Sequence, residues 1–368
     1  MKRLLLTNQN LDTVLKESVA VLKAGGLLLF PTETTYGAGV DACNPDAVAK
    51  LLAYKSRREG KPLSIAVSDI EMAQKYVVVN AQAKTLYSQF LPGPVTVVSK
   101  GLGEVAPGVE SEFGTLGVRI SSHPFVEALV KAFGGPITAT SANGSGEKRP
   151  YSIDDVLTCL SGKQLALLDL CIDAGQLPVR EPSTVIDTTL SAPITLRQGD
   201  VNLSANAENG VSITTKSEHE TKQLAGQLLL KHWDGLGQGP VIIALDGPLG
   251  AGKTVFTKGI ADFLQLSEQI TSPTYTYIEE YDFTRHQTSG TLYHLDMWKV
   301  DSADQFERLE FVDLLKPNSV VVIEWWSLIA EFAQPVLEKY PHKFIHCTLS
   351  DNTGGGGASD ERQIIFVD

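Results

Sequence analysis

The chain has 368 residues, with 31 Lys plus Arg against 43 Asp plus Glu, a formal net charge of −12 and a pI near 5.1. At about 150 residues per domain this length predicts two or three domains, each large enough to bury a core. The acidic balance argues against a broad basic face gripping nucleic acid, and 43% hydrophobic with 20% charged residues argues against a mostly disordered chain.

No apolar run reaches about 18 residues, so no membrane span is expected. The stretch opening Met1-Lys2-Arg3-Leu4 lacks the long apolar core and small-residue cleavage site of a secretory signal, so none is expected. Cys43, Cys159, Cys171 and Cys347 lie far apart with no CxxC, which predicts a reducing, cytoplasmic setting without a disulfide framework or cysteine zinc site.

In chain order, Leu11, Val14, Leu15, Val19, Val21 and Leu22 share one side of a predicted helix that Gly25-Gly26 ends. Leu27–Phe30 follows as a buried strand. The hydroxyl-dense stretch Pro31-Thr32-Glu33-Thr34-Thr35-Tyr36-Gly37 reads equally as a polar turn or as the seat of a small polar substrate. Lys55-Ser56-Arg57-Arg58-Glu59-Gly60-Lys61 packs four cations into seven residues. It is either a solvated surface loop or a grip on polyphosphate, in which an Arg fork takes two oxygens and Lys acts as a point charge. Further polar motifs are Gly117–Ile120, Thr138–Asn143, Pro182–Asp187 and Leu196–Gly199. No Ser-His-Asp set, histidine cluster or paired acids stand out, so chemistry here would run on positioning and charge stabilisation.

The charge then shifts. Residues 1–210 carry 19 basic and 21 acidic side chains, whereas residues 211–368 carry 12 and 22. Between them, Val201–Val211 is rich in Asn, Ser, Ala and Gly and reads as a linker. The expected organisation is a domain over 1–202, a linker over 203–212 and a second domain over 213–368. Both flanking pieces alternate short apolar runs with amphipathic segments, the pattern of α/β domains.

The second half contains the sharpest motif. Val241–Leu245 enters Gly247-Pro248-Leu249-Gly250-Ala251-Gly252-Lys253-Thr254 as a strand, and Val255–Leu264 leaves it with helical periodicity. This is G-x-x-x-x-G-K-[ST] in its strand–loop–helix setting. Gly247, Gly250 and Gly252, with Ala251, let backbone N–H groups curl around phosphates at a helix N-terminus. Lys253 would reach the β- and γ-phosphates, and the Thr254 hydroxyl would ligate Mg²⁺ of a bound ATP. Ser319–Glu324 and Leu292–Asp296 are apolar runs closing on a carboxylate. Glu324 is the favoured metal- or water-positioning residue and Asp296 a second candidate, although strand-end acids are commonly just solvated. Ser272-Pro273-Thr274-Tyr275 reads equally as a γ-phosphate-sensing loop or a Ser-Pro turn. Gly354–Gly357 reads as a flexible loop before a last strand, Ile364–Val367.

GPLGAGKT, SPTYT, YHLD and VIEWW, in that order, resemble the TsaE family of bacterial P-loop ATPases that support threonylcarbamoyl-adenosine (t6A) modification of tRNA. Trp325, beside Glu324, matches a family tryptophan implicated in activity, and reads equally as a core aromatic. Pro248 stands where the family commonly has an acidic residue, and Asp246 precedes the loop instead.

PTETTYG, KSR, GVRISSHP, TSAN, PSTVID and LRQG in the first half resemble the YrdC-like family, specifically TsaC-type threonylcarbamoyl-AMP synthases. That resemblance implies an open α/β fold with a basic cavity, ahead of a P-loop NTPase α/β domain. It also implies formation of threonylcarbamoyl-AMP from L-threonine, bicarbonate and ATP, with release of pyrophosphate. By the same resemblance Lys55, Arg57, Lys61, Thr115, Ser141, Asn143 and Arg197 match nucleotide-handling positions, with Lys55 and Arg57 as catalytic cations. Thr34, Arg119 and Ser183 match threonine-holding positions. Arg58 stands where many members have Pro, and Ala66 where many have His.

Together the two resemblances imply a bifunctional fusion. The partners it implies are TsaD- and TsaB-type transferase subunits, with contact to ANN-decoding tRNA (adenosine 37) only indirect. Rival readings are an RNA-binding or ribosome-maturation module, and a small-molecule kinase in the second half. A hydrogenase-maturation carbamoyltransferase would carry CxxC zinc motifs, which this chain lacks.

Overall fold

Apolar runs too short to span a layer as helices pair into sheets, and the amphipathic stretches between them cover the faces. A computed structural model describes residues 1–7, 9–55, 63–143, 149–201, 210–268, 270–273, 276–351 and 361–368. Arg57, Arg58, Lys61, Thr274, Tyr275, Gly354–Gly357 and most of the expected linker therefore lie outside the described residues. The chain divides into two compact units, Met1–Thr189 with Pro193–Leu203, and Leu190–Ala192 with Ser204–Asp368.

The first unit runs β1 (Lys2–Leu5), α1 (Leu11–Lys23), β2 (Leu28–Pro31), β3 (Tyr36–Gly39), α2 (Pro45–Lys55), β4 (Ser64–Ala66), α3 (Ile70–Ala73) and α4 (Ala81–Phe90). It continues through β5 (Val95–Lys100), β6 (Thr115–Arg119), α5 (Pro124–Phe133), β7 (Ile137–Thr138) and β8 (Thr140–Ser141). Then come α6 (Ile153–Cys159), α7 (Gly162–Leu167), β9 (Leu170–Asp173), β10 (Thr184–Asp187) and β11 (Ile194–Arg197). They form a five-stranded sheet, β1-β9-β2-β3-β8, and a six-stranded sheet, β11-β10-β5-β6-β4-β7.

The predicted first helix forms with Val14, Ser18 and Leu22 buried. The strand after it starts one residue later than expected and takes in Pro31. Its Leu29 packs in one core cluster with Leu27, while Leu28 and Phe30 pack in another against α1 and α5. Burial on both faces is why this strand is apolar without alternation. The hydroxyl-rich stretch is not wholly a loop, because Tyr36 and Gly37 already pair as the start of β3. Only Ala139 separates β7 from β8, so the chain changes sheets there and delivers Ser141–Asn143 to the edge beside β3.

The second unit runs β12 (Val211–Thr215), α8 (Glu218–His232), β13 (Val241–Asp246), α9 (Lys253–Leu264), β14 (Ile278–Arg285) and β15 (Thr288–Asp296). It closes with α10 (Ala303–Glu307), β16 (Ser319–Glu324), α11 (Ala330–Leu337), β17 (Lys343–Asp351) and β18 (Arg362–Val367). Val211 and Ser212, assigned to the linker by composition, are the first residues of edge strand β12. One seven-stranded sheet has the order β12-β18-β17-β13-β16-β15-β14. Its centre is parallel: β13 lies between β16 and β17, and β16 pairs with β15. In this register Leu245, Glu324 and Asp296 are neighbours across three strands, so the strand-end carboxylates share one rim with the P-loop. The carboxyl ends of parallel strands are where such sheets bind ligands. No helix among the described residues is long and apolar enough to cross a membrane.

Candidate active sites

In the second unit, β13 feeds the loop and α9 leaves it. Gly247 sits at φ +141°, and a Cβ there would lie 2.1 Å from the Leu349 carbonyl oxygen. Gly252, at φ +97°, is covered by Arg362, whose Nε would be 2.3 Å from an added Cβ. The loop is therefore a cradle that side chains would fill. Lys253 curls back over it: Nζ donates to the carbonyls of Gly247 (2.8 Å) and Pro248 (3.0 Å) and lies 3.7 Å from the Trp325 ring centroid. Burial lowers the Lys253 pKa, opposed by the nearby charges of Glu324, Asp296 and Asp246. Trp325 holds a left-handed backbone, φ +63°, and packs against the half-exposed Trp298 with ring centroids 4.5 Å apart and planes tilted by 50°. It packs against the core of this unit and also covers the loop lysine.

Glu324 is buried and gathers three side chains. Thr254 Oγ1 donates to Oε2 at 3.2 Å, while Thr257 Oγ1 (3.4 Å) and His294 Nε2 (2.9 Å) meet Oε1. Asp296 accepts from Ser272 Oγ at 2.7 Å and from the Trp298 amide at 3.2 Å. Ser272 of the Ser-Pro stretch is thereby tied to the rim. Asp246 accepts from the Ser327 amide and meets His346 Nε2 at 2.8 Å. Burial alone would raise its pKa, but these hydrogen bonds outweigh it and leave the carboxyl below its usual range. Among the described residues no group of three or more His, Cys, Asp or Glu could hold a metal. The donor set is instead one hydroxyl beside two carboxylates, hard oxygens that suit Mg²⁺ completed by phosphate oxygens and water. His294, Thr257 and Trp298 escaped the sequence reading, and Asp246 entered it only as an acid preceding the loop. The available signals were helical spacing of Thr257 from Thr254 and alternation of His294 with Asp296 along β15.

The first unit holds its candidates in three groups. Lys55, the last residue of α2, donates Nζ to the carbonyls of Ser141 (2.7 Å) and Asn143 (2.5 Å). Tyr54 beside it donates to the Ala142 carbonyl at 2.7 Å, so the helix end clamps the TSAN stretch. Second, Arg119 is paired with Glu33 at 2.5 Å, and Ser121 Oγ also donates to Glu33. Both charged side chains are nearly out of solvent, at 12% and 6% exposure. Arg119, expected to meet a substrate carboxylate, thus already holds a carboxylate of the chain. The buried Thr34 hydroxyl lies 3.1 Å from Thr32 Oγ1, which caps the same turn. Burial lowers the pKa of His123, which heads α5, against the opposing charge of Glu33.

Third, Arg197 donates from Nε to the Ser183 carbonyl (3.0 Å) and from Nη2 to Ser183 Oγ (2.8 Å), and Thr96 Oγ1 is 3.2 Å from that hydroxyl. The β5–β6 register places Val118 opposite Val97, so Arg119 and Thr96 share one end of the pair. Thr115 sits at the other end opposite Lys100, about 13 Å along the strand, with its hydroxyl 2.8 Å from Ser111 Oγ. Ala66 lies directly beside Arg119 on β4, so the residue type there bears on what Arg119 can hold.

Residues 20–199 match the family model described as Telomere recombination (Sua5/YciO/YrdC), and residues 215–354 match that of Threonylcarbamoyl adenosine biosynthesis protein TsaE. The chain is similar to a threonylcarbamoyl-AMP synthase of Photobacterium profundum, with 34% identity over 189 residues, 50% of this chain and 98% of that protein. It is 32% identical over 192 residues to the threonylcarbamoyl-AMP synthase of Bacillus subtilis, 52% of this chain but only 54% of that longer protein. The crystal structure of P. abyssi Sua5 complexed with L-threonine shares the fold at TM-score 0.51 and 19% identity, covering 88% of this chain and 91% of that one. Through its first half the chain belongs to the Sua5/YciO/YrdC family of threonylcarbamoyl-AMP synthases, and it carries a TsaE domain, of a P-loop ATPase family, in the same polypeptide.

Proposed function

We propose that the chain is a bifunctional cytoplasmic enzyme of t6A biosynthesis. The first half joins L-threonine, bicarbonate and ATP into threonylcarbamoyl-AMP and pyrophosphate. The second half hydrolyses ATP in support of a TsaD/TsaB-type transferase that modifies adenosine 37 of ANN-decoding tRNA. The observation that carries this reading is similarity along 98% of a threonylcarbamoyl-AMP synthase, followed in the same chain by a TsaE domain.

In the first half, the carbamate of threonine would attack the α-phosphorus and pyrophosphate would leave. Lys55, with Arg57 and Lys61 from the cationic stretch, would hold the polyphosphate, with Ser141, Asn143, Thr115 and Arg197 as further nucleotide contacts. The carbonyl clamp on Lys55 keeps its ammonium at the TSAN edge. Thr34, Arg119 and Ser183 would hold threonine. Arg119 could take its carboxylate only by sharing or releasing Glu33, so that pairing belongs to substrate selection.

In the second half, the backbone amides of Gly247–Thr254 would cradle the phosphates. Lys253 would leave the Gly247 and Pro248 carbonyls for the β- and γ-oxygens. Mg²⁺ held by Thr254, Glu324 and Asp296 would neutralise phosphate charge.

The test is one incubation of the full chain with ATP, L-threonine and bicarbonate, read by mass spectrometry. Threonine-dependent pyrophosphate release with a threonylcarbamoyl-AMP product is expected. Its absence in freshly purified protein overturns the synthase reading, and absence of phosphate release from ATP overturns the ATPase reading. Salt-sensitive RNA binding in place of synthesis would favour the RNA-binding alternative, and phosphate appearing on an acceptor would favour a kinase.

A further inference from the structure

Glu324 has two carboxylate oxygens, and the surrounding residues treat them differently. Oε2 faces Thr254 of the P-loop, whereas Oε1 is taken by His294 at 2.9 Å and, more weakly, by Thr257, whose one hydroxyl proton is shared between the Lys253 carbonyl (3.2 Å) and Oε1 (3.4 Å). His294 is fully buried on β15, two residues before Asp296 and on the same face of the strand. A carboxylate can only accept, so the shared proton belongs to Nε2. The other ring nitrogen, Nδ1, is buried and meets no hydrogen-bond partner among the described residues. Burying an imidazole with one nitrogen unsatisfied costs free energy that an apolar residue here would avoid. Against that cost stands the hydrogen bond from Nε2 to Glu324. Thr257 lies one helical turn beyond Thr254 and is likewise fully buried, so the two threonines reach opposite oxygens of one carboxylate.

We infer that His294 and Thr257 are positioning residues of the second half. By holding Oε1, they turn Oε2 of Glu324 toward the Thr254 hydroxyl and the cation that accompanies the nucleotide. This rests on the ATPase reading above and adds to it the residues that orient its carboxylate. Partners behind a ligating group typically change metal affinity or activity about 10–100-fold.

The experiment uses the full chain and three variants. His294→Phe keeps the ring and removes the donor, His294→Gln restores an N–H near Nε2, and Thr257→Val removes the hydroxyl at constant shape. Equilibrium dialysis with labelled ADP, with Mg²⁺ titrated from EDTA upward, is read beside kcat and KM for ATP hydrolysis. His294→Phe is expected to raise the half-saturating Mg²⁺ and to lower kcat by about 10–100-fold, with KM and Mg²⁺-free ADP affinity unchanged. His294→Gln should recover most of both losses, and Thr257→Val should shift both the same way by less. Threonine-dependent pyrophosphate release monitors the other half of the same molecules. The inference is overturned if a folded His294→Phe protein keeps its Mg²⁺ response and kcat, or if it loses Mg²⁺-free ADP affinity equally. It is also overturned if His294→Gln is no better than His294→Phe. Should His294→Phe not fold, Thr257→Val decides by the same criteria. Should the parent protein bind ADP with Mg²⁺ dependence yet hydrolyse no ATP, the ATPase reading fails while the Mg²⁺ titration still decides the positioning roles.

Discussion

Each half of the chain sets a lysine ammonium against two backbone carbonyls, but the carbonyls come from very different distances along the sequence. Lys253 reaches back six and five residues, to Gly247 and Pro248. Lys55 reaches 86 and 88 residues ahead, to Ser141 and Asn143. A site built within one turn of chain is written as a contiguous motif. A site assembled from a helix end and a sheet edge exists only when α2, β3 and β8 have met. The same chemical arrangement is therefore conspicuous in one half and dispersed in the other.

The sharpest way to break this parallel is to remove each lysine. Lys253→Ala should lower ATP hydrolysis by at least about 10²–10³-fold and leave threonine-dependent pyrophosphate release intact. Lys55→Ala should do the reverse. If either substitution removes both activities, the two sites are not independent.

Next in size is the buried pair that separates the halves in character. Arg119→Ala strands the Glu33 carboxylate, at 6% exposure, and should destabilise the first unit by about 3–5 kcal/mol in chemical denaturation. Adding Glu33→Gln should return most of that loss. If Arg119→Ala alone is neutral, Glu33 is not held by charge pairing.

Gly247→Ala probes the local half. Its Cβ would meet the Leu349 carbonyl at 2.1 Å from a strained φ of +141°, so the second unit should lose about 1–3 kcal/mol and bind ADP more weakly. Unchanged ADP affinity would mean that the loop tolerates a side chain at its entry.

The smallest effect is electrostatic. The His232 hydrogen bond, and then Lys231, hold the Asp368 pKa down at about 2 against burial. A depressed carboxylate contributes fully above its unfolded value near 3.8 and loses that contribution as pH falls toward about 2. Because the carboxylate is partly solvated, Asp368→Asn should therefore remove no more than about 1 kcal/mol at pH 6 and almost nothing at pH 2, read as melting curves at the two pH values. Equal losses at both would mean that the pair acts by packing rather than charge.

Much of the second unit was legible in its sequence. The loop, both flanks and the acid-ended strand Ser319–Glu324 appear where apolar runs and closing carboxylates placed them, and Leu292–Asp296 is the closing part of the longer β15, which begins at Thr288. What was not legible was which carboxylate oxygen faces what. His294 and Thr257 belong to separate elements, and only parallel pairing of β15 with β16 beneath α9 brings them to Glu324. In the first unit the motifs were visible but their arrangement was not. Nothing in Thr115–Ile120 indicates that Arg119 and Thr115 lie at opposite ends of one strand, or that Arg119 closes on Glu33.

By itself the sequence determined two α/β halves, a phosphate loop, and a set of hydroxyls and cations suited to a small anionic substrate. Those properties rest on residue type and short-range spacing, which backbone geometry converts directly into strand, turn and helix. The tertiary structure alone decided the partners: the carbonyls that receive Lys55, the carboxylate that holds Arg119, and the imidazole that orients Glu324. A hydrogen bond between residues 30 to 88 positions apart depends on register and sheet order, which one-residue shifts would change without altering composition or local pattern.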